Sequence, residues 1–209
     1  RRGHARSIGE VPRFQSKRHL LTAVEVRRGR HHRQGGLITG SCSKAVPEVI
    51  RENGGNAIKT RVGHSYIKQV MAETGAIFGG EHSGHYYFRD NYRADSGIIA
   101  AMVVLELLSE SPSTLSELCA PLIRYRASGE INTEVVSPTA SVADIARILK
   151  DQGVAIDIMD GLTADYGDWW FNLRPSNTEP LLRLNVEAAT TIDVAQHVGE
   201  VLELIRQVG

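Results

Sequence analysis

No apolar run in this chain reaches the roughly 18 residues that a membrane-spanning helix needs, which argues against a membrane partner. The longest, residues 97–108, contains Glu106 and reads as a buried helix instead. Cysteine is scarce. Cys42 and Cys119 stand far apart, with no CxxC and no metal-ligand spacing, so a disulfide framework and the common zinc motifs are both excluded. Both read as buried free thiols in a reducing compartment, and the expected location is cytoplasmic. The basic N-terminus is not followed by an apolar core, so no signal peptide is read there. Internal repeats are absent too.

What is present is the composition of an ordinary globular protein, long enough for one large domain or two small ones. The zero net charge conceals a split. Residues 1–36 hold ten Lys or Arg and two acids, while residues 37–209 hold 14 basic and 22 acidic side chains. The first stretch is rich in Arg, His and Gly, and shows no sustained period. Chains of that kind bury too little apolar surface to offset ordering entropy, so residues 1–36 are expected to be a disordered or aberrant tail. An Arg-rich arm also reads as nucleic-acid binding, but aromatic interleaving is limited to Phe14 and the body is acidic.

Periodicity begins after the tail. Residues 36–39 read as a short strand. Ser43 is expected to cap a helix through Asn53, with Val46, Val49 and Ile50 on one face. Strands are expected over 57–62 and 76–78, and helices over 65–73, from Asp95 or Ser96 to Leu108, and from Ser113 or Thr114 to about Ile123. This α/β alternation changes style near Gly129. Strands are expected over 131–136, 154–159, 169–173 and 181–187. Ser141 and Asp144 form a capping-box-like helix start, and a last helix runs over 191–207. The expected fold is therefore a partial α/β domain at 37–126, a mixed sheet with helices. An α+β C-terminal domain at 127–209 follows, an antiparallel sheet with two helices.

Three loops carry candidate chemistry. Arg174-Pro175-Ser176-Asn177-Thr178-Glu179-Pro180 is flanked by two strand patterns. Arg174 offers a planar fork for two phosphate oxygens, and Ser176, Asn177 and Thr178 add short donors. Pro175 and Pro180 stiffen the ends. The alternative is a plain polar turn. Arg61 to Lys68, RVGHSYIK, lies at a strand-to-helix junction. There His64, Ser65 and Lys68 could face a ligand, or Ser65 could simply cap the helix. The third loop, GGEHSGH at 79–85, has glycines that let backbone approach a ligand. Its Glu81 and Ser83 suit vicinal sugar hydroxyls. Glu81, His82 and His85 are also metal-ligand types, although the spacing fits no helix-borne zinc motif. A structural glycine loop is the third possibility.

RVGHSYIK, GGEHSGHYYFRD, the ADSG helix start and RPSNTEPLLRLNVEA occur together and in that order. From about Ser43 to Ile205 the chain resembles the α-D-phosphohexomutases, in their bacterial phosphomannomutase/phosphoglucomutase branch. The resemblance implies most of that family's third domain and the whole of its fourth. It implies that Glu81 and Ser83 hold sugar hydroxyls, with Gly84 shaping the loop. His64 and Lys68 then line the cleft, and Arg174, Ser176, Asn177 and Thr178 bind the phosphate not being transferred. His85 is a less definite contact. It implies phosphoryl transfer between C6 and C1 of a hexose through a phosphoserine, with Mg²⁺ on the moving phosphoryl group. His82, where phosphoglucosamine mutases commonly carry Gln, points to mannose phosphates, with glucose phosphates as further substrates.

The departures are as plain as the match. The family's phosphoserine loop and its Asp-x-Asp-x-Asp-Arg metal loop have no counterpart here, since no two aspartates are separated by one residue. Asp157 and Asp160 stand three apart. No catalytic residue and no metal ligand is therefore assigned within the chain, and by itself it is expected to be inactive. The first two domains are expected on another chain or beyond a fragment boundary, and the absence of an initial Met points the same way. A frameshift would account for residues 1–36. A non-enzymatic sugar-phosphate binding module is the alternative function.

Overall fold

The computed structural model describes residues 35–39, 42–176 and 178–209, with the side chains of 35–39 excepted. The expectations for residues 1–34 and for Asn177 lie outside the described residues. The chain divides into two compact units, the first running to Arg124 and the second comprising Tyr125–Asp157 and Gly161–Gly209.

In the first unit, β1 (Gly35–Thr39), α1 (Ala45–Glu52), β2 (Asn56–Thr60), α2 (His64–Thr74) and β3 (Phe78–Gly80) follow in order. β1 runs parallel to both β2 and β3, so each helix serves as the crossover that a parallel pair requires. Two short strands, β4 (Tyr86–Phe88) and β5 (Ala94–Asp95), extend the sheet antiparallel, in the order β2-β1-β3-β4-β5. Strand β1 includes Gly35 and Gly36, so the expected tail boundary at residue 36 falls inside the sheet.

Local chemistry explains the helices. Val46, Val49 and Ile50 bury one face of α1. Gly75, in the left-handed region, closes α2. Helix α3 (Gly97–Glu110) starts at Ser96, whose Oγ accepts from the Ile99 N–H. α4 (Leu115–Cys119) starts with a Thr114–Glu117 capping box and tightens into a 3-10 turn at Ala120–Leu122.

The apolar helix at 97–108 is only half buried. Ala100 and Val103 pack inward, whereas Ile98, Met102 and Leu105 stand 79%, 60% and 57% exposed, one stripe at helical spacing. Of the cysteines, Cys119 is buried and Cys42 is partly exposed. Among the described residues no single helix is long and apolar enough to cross a membrane.

The second unit carries β6 (Arg126–Ala127), β7 (Ile131–Glu134), α5 (Pro138–Asp151), β8 (Ala155–Asp157), β9 (Leu162–Asp165), β10 (Trp170–Pro175), β11 (Leu181–Ala188) and α6 (Thr191–Val208). Its sheet is antiparallel throughout, in the order β6-β11-β10-β9-β8 with β7 also on β11. Phe171, Leu173, Leu184 and Val186 of the central strands pack with Ile145 of α5 and Val201 of α6. Burying side chains of this size stabilises by about 1.5–3 kcal/mol each. Central β10 is buried from Trp170 to Leu173, and two of its polar side chains bond to neighbouring strands. Trp170 Nε1 donates to Glu187 Oε1 at 3.0 Å, and Asn172 Nδ2 donates to Thr163 Oγ1 at 3.1 Å.

Several expectations shift. The strand expected at 76–78 is β3, two residues later, because Gly79 and Gly80 supply pairing backbone to β1 and β4. Helix α5 starts at Pro138 after Ser137, so Ser141 is no cap. It is buried one turn inside, donating its Oγ–H to the Ser137 carbonyl at 3.0 Å. Strand β9 was hidden because its four residues are too few to show a sustained alternation, although it pairs with its chain neighbours β8 and β10.

Candidate functional site

The GGEHSGH segment forms a tight hairpin loop between β3 and β4. The Glu81 N–H donates to the His85 carbonyl, and the Gly84 N–H to the Glu81 carbonyl, both at 3.0 Å. Gly84 takes φ +89°, which a larger side chain resists. The Glu81 side chain folds back under the loop and is buried to 3% exposure. A buried carboxylate is costly unless it is bonded. One oxygen accepts the Gly63 N–H at 3.0 Å, and the other accepts the Tyr87 hydroxyl at 2.8 Å. Gly63 is the residue before α2 and adopts φ +127°. The RVGHSYIK junction and the GGEHSGH loop are thus joined through one backbone amide.

Tyr87 is fully buried, and its oxygen lies 2.9 Å from His64 Nδ1. The single hydroxyl proton is given to Glu81, so His64 Nδ1–H donates to Tyr87. Burial, with the Glu81 hydrogen bond second, pushes the Tyr87 hydroxyl well above its usual pKa. Asp95 of β5 stands opposite Tyr87 in the strand register. It lies 2.9 Å from His85 Nδ1 and 3.7 Å from His64 Nδ1. The His85 hydrogen bond is the main cause holding the Asp95 carboxyl below its usual range, with His64 beside it a smaller one.

The structure brings His64, Glu81 and His85 together, each offering a ligand atom within 4.8 Å of the others. His64 and His85 remain 54% and 44% exposed at their side chains. Ser83 and Gly84 are exposed on the same loop, and Lys68 is exposed one helical turn beyond His64. Ser65 lies inside the first turn of α2 and not at its cap, because Gly63 takes that position. His82, the third member of the metal reading, is not part of this cluster. Tyr87 and Asp95 were missed in the sequence. Only their places in YYF and ADSG could have signalled them.

The second site lies in the C-terminal unit. Arg174 is near the end of β10, and its register partner on β11 is Arg183. Glu130 lies 3.5 Å from both guanidinium groups, one carboxylate between two cations. The turn closes through Ser176 N–H to the Leu181 carbonyl at 2.8 Å. Ser176 Oγ accepts from the Thr178 N–H at 3.4 Å and from Arg183 Nη2 at 3.5 Å. The Nε atoms of both arginines are buried with no partner among the described residues. One cation is in excess over the local carboxylate, and donors remain unused. That arrangement suits a dianion.

Gly161 explains how Arg174 is placed. A Cβ there would stand 2.7 Å from Arg174 Cβ and 2.7 Å from the Leu173 carbonyl. Arg183 and Glu130 escaped the sequence reading, because strand register sets Arg183 beside Arg174 and only the fold brings in Glu130, just before β7.

Residues 19–126 match the family model for phosphoglucomutase/phosphomannomutase alpha/beta/alpha domain III, and residues 130–204 match that for the phosphoglucomutase/phosphomannomutase C-terminal domain. The first match begins upstream of Ser43, so the likeness reaches into the basic N-terminal stretch. A phosphomannomutase of Methanocaldococcus jannaschii is 43% identical over 164 residues, 78% of this chain and 36% of that protein. A phosphoglucomutase/phosphomannomutase family protein from Burkholderia thailandensis superposes with a TM-score of 0.79 at 26% identity, covering 92% of this chain and 41% of its own. An Aspergillus fumigatus N-acetylphosphoglucosamine mutase, solved with GlcNAc-6P and magnesium, shares the fold. Its TM-score is 0.64 at 15% identity, over 93% of this chain and 44% of its own. The chain spans about a third of the length of the curated relatives it matches. It belongs to the phosphoglucomutase/phosphomannomutase family of α-D-phosphohexomutases.

Proposed function

We propose that this chain carries the sugar-binding and phosphate-binding parts of a mutase that interconverts hexose 6-phosphate and hexose 1-phosphate, with mannose phosphates as substrates and glucose phosphates accepted as well. The observation that carries the reading is the buried Glu81 carboxylate. It is fixed from below by Gly63 and Tyr87, in a loop whose tip, Ser83 and Gly84, is exposed. A carboxylate so held is preorganised to accept hydrogen bonds from two vicinal hydroxyls at no further ordering cost. Ser83 adds a hydroxyl at the loop tip. His64 is oriented by Tyr87, and Lys68 places a cation on the same helix face. Arg174 and Arg183 grip the phosphate that is not transferred, with Ser176, Asn177 and Thr178 completing the clamp. Generic phosphate donors suit a site that must accept either end of the sugar phosphate.

Mg²⁺, which the family implies, stabilises the charge on a transferring phosphoryl group when bound. The described residues do not fit it. Their one candidate cluster is His64, Glu81 and His85, two nitrogens and one carboxylate, whereas Mg²⁺ takes near-octahedral oxygen donors. No phosphoserine is assigned either. In this reading both are supplied by sequence outside these 209 residues, on the same polypeptide or a companion chain. The two cysteines, neither of them in a disulfide among the described residues, suit the reducing cytoplasm in which hexose phosphates are turned over.

Titration with mannose 1-phosphate and glucose 6-phosphate tests the reading. The chain is expected to bind both, and Arg174→Ala and Glu81→Gln to abolish or strongly weaken binding while still melting cooperatively. Equal affinity in the wild type and both variants would sink it. A second reading, a binding module without turnover, is favoured by one observation. The candidate binding residues Glu81, Ser83 and Arg174 are described in this chain, while no nucleophile is assigned to it.

A further inference from the structure

We propose that His64, Glu81 and His85 form a binding site for a soft divalent transition metal of the zinc class, and that a metal held there excludes the sugar. Two imidazoles and one carboxylate are the donor set of an open zinc site with a fourth position free. One ring nitrogen of each histidine and one Glu81 carboxylate oxygen already lie within 4.8 Å of one another. Tetrahedral zinc with bonds of about 2.0–2.1 Å needs separations of roughly 3.3–3.5 Å. The remaining movement falls on His64 and His85, whose rings are half exposed and each tethered at Nδ1 alone among the described residues.

A second observation supports the site. Both rings have their Nδ1 committed, His85 to Asp95 at 2.9 Å and His64 to the Tyr87 hydroxyl at 2.9 Å. That fixes each neutral ring in the tautomer whose Nε2 carries the lone pair. Glu81 is held from behind by Gly63 and Tyr87. A histidine oriented by a carboxylate, beside an oriented carboxylate ligand, is the usual outer shell of a zinc site. The donor set also selects against Mg²⁺, which takes oxygens and keeps its waters. Exclusion of the sugar follows because Glu81 serves both ligands. This part alone rests on the function proposed above.

The test is titration of the metal-free full chain with Zn²⁺, and with Co²⁺ as a spectroscopic probe. The expected result is binding at this site with a tetrahedral Co²⁺ spectrum. His64→Ala and His85→Ala should each abolish that spectrum, and Asp95→Ala should weaken binding roughly 10–100-fold. Replacing His31 and His32 in the basic stretch should leave it intact. Circular dichroism of each variant separates a lost site from a lost fold. If the double variant His64→Ala/His85→Ala binds as the wild type does, or if the folded wild type gives no tetrahedral spectrum, the site does not exist. A saturating hexose phosphate should raise the apparent Kd for Zn²⁺. If the sugar phosphate binds the metal-free protein yet leaves zinc affinity unchanged, the exclusion is wrong. If the sugar phosphate does not bind at all, the failure belongs to the proposed function and not to the metal site.

Discussion

Gly161 shows how one missing carbon can govern a guanidinium on another strand. With φ +71° and only 2.7 Å from its would-be Cβ to Arg174 Cβ, it holds β9 close to β10 where the clamp begins. Gly161→Ala is expected to destabilise by roughly 1–3 kcal/mol through overpacking and to lower phosphate affinity. Gly153, also at positive φ but with open space around it, is the comparison. Gly153→Ala should lose stability and leave phosphate affinity unchanged. Denaturant titration and ligand titration of the pair separate the two effects. Tyr87 is the matching residue of the first unit. Tyr87→Phe keeps the ring but strips a donor from buried Glu81 and an acceptor from His64. Leaving such groups unpaired costs about 1–3 kcal/mol. Chemical denaturation should read that loss, with weaker hexose-phosphate binding beside it.

At the level of elements, α6 and α1 are secured by different means. α6 begins with a reciprocal Thr190–Asp193 box, Thr190 Oγ1 accepting the Asp193 N–H at 3.1 Å. Thr190→Ala is expected to cost about 1 kcal/mol, seen as a lower denaturation midpoint with an unchanged m-value. α1 is tied down from beyond the 3-10 turn by Arg124, which donates to Glu48 at 3.0 Å and to Glu52 at 2.6 Å. The Arg124 hydrogen bond holds the Glu52 carboxyl below its usual pKa. A depressed carboxylate stabilises the fold above its unfolded pKa, and that contribution fades as pH falls through the lower folded value. Wild-type protein should therefore lose more stability than Arg124→Met between neutral pH and about pH 3. Parallel acid titrations of unfolding that stayed a constant distance apart would contradict this.

For the molecule as a whole, the exposed stripe Ile98, Met102 and Leu105 is the liability. Contiguous apolar surface of this kind favours association. Ile98→Lys with Leu105→Glu should reduce concentration-dependent self-association in sedimentation velocity without shifting the melt. The 209 residues alone are expected to convert no mannose 1-phosphate to mannose 6-phosphate, measured in a coupled assay, and turnover by the purified chain would contradict the division of labour proposed here.

Much of this protein was legible as text. The helices at 45–52, 97–110 and 191–208 follow from apolar spacing and from Ser, Thr and Gly at their ends, which are local effects. The change from α/β to antiparallel architecture followed from where helical and alternating periods fall. The three loops were visible because glycines, prolines and polar donors cluster there. β4, β5, β6 and β9 were not legible, since two to four residues are too few to show a sustained alternation. Register alone sets Arg183 beside Arg174 and Asp95 beside Tyr87. Local propensity and motif spacing are written along the chain, so the sequence by itself determined the family, the helices and the candidate loops. Hydrogen bonds between remote residues exist only once the chain has folded. Tertiary structure therefore decided how Glu81 is held, which histidine nitrogens are free, and that Glu130 and Arg183 stand beside Arg174.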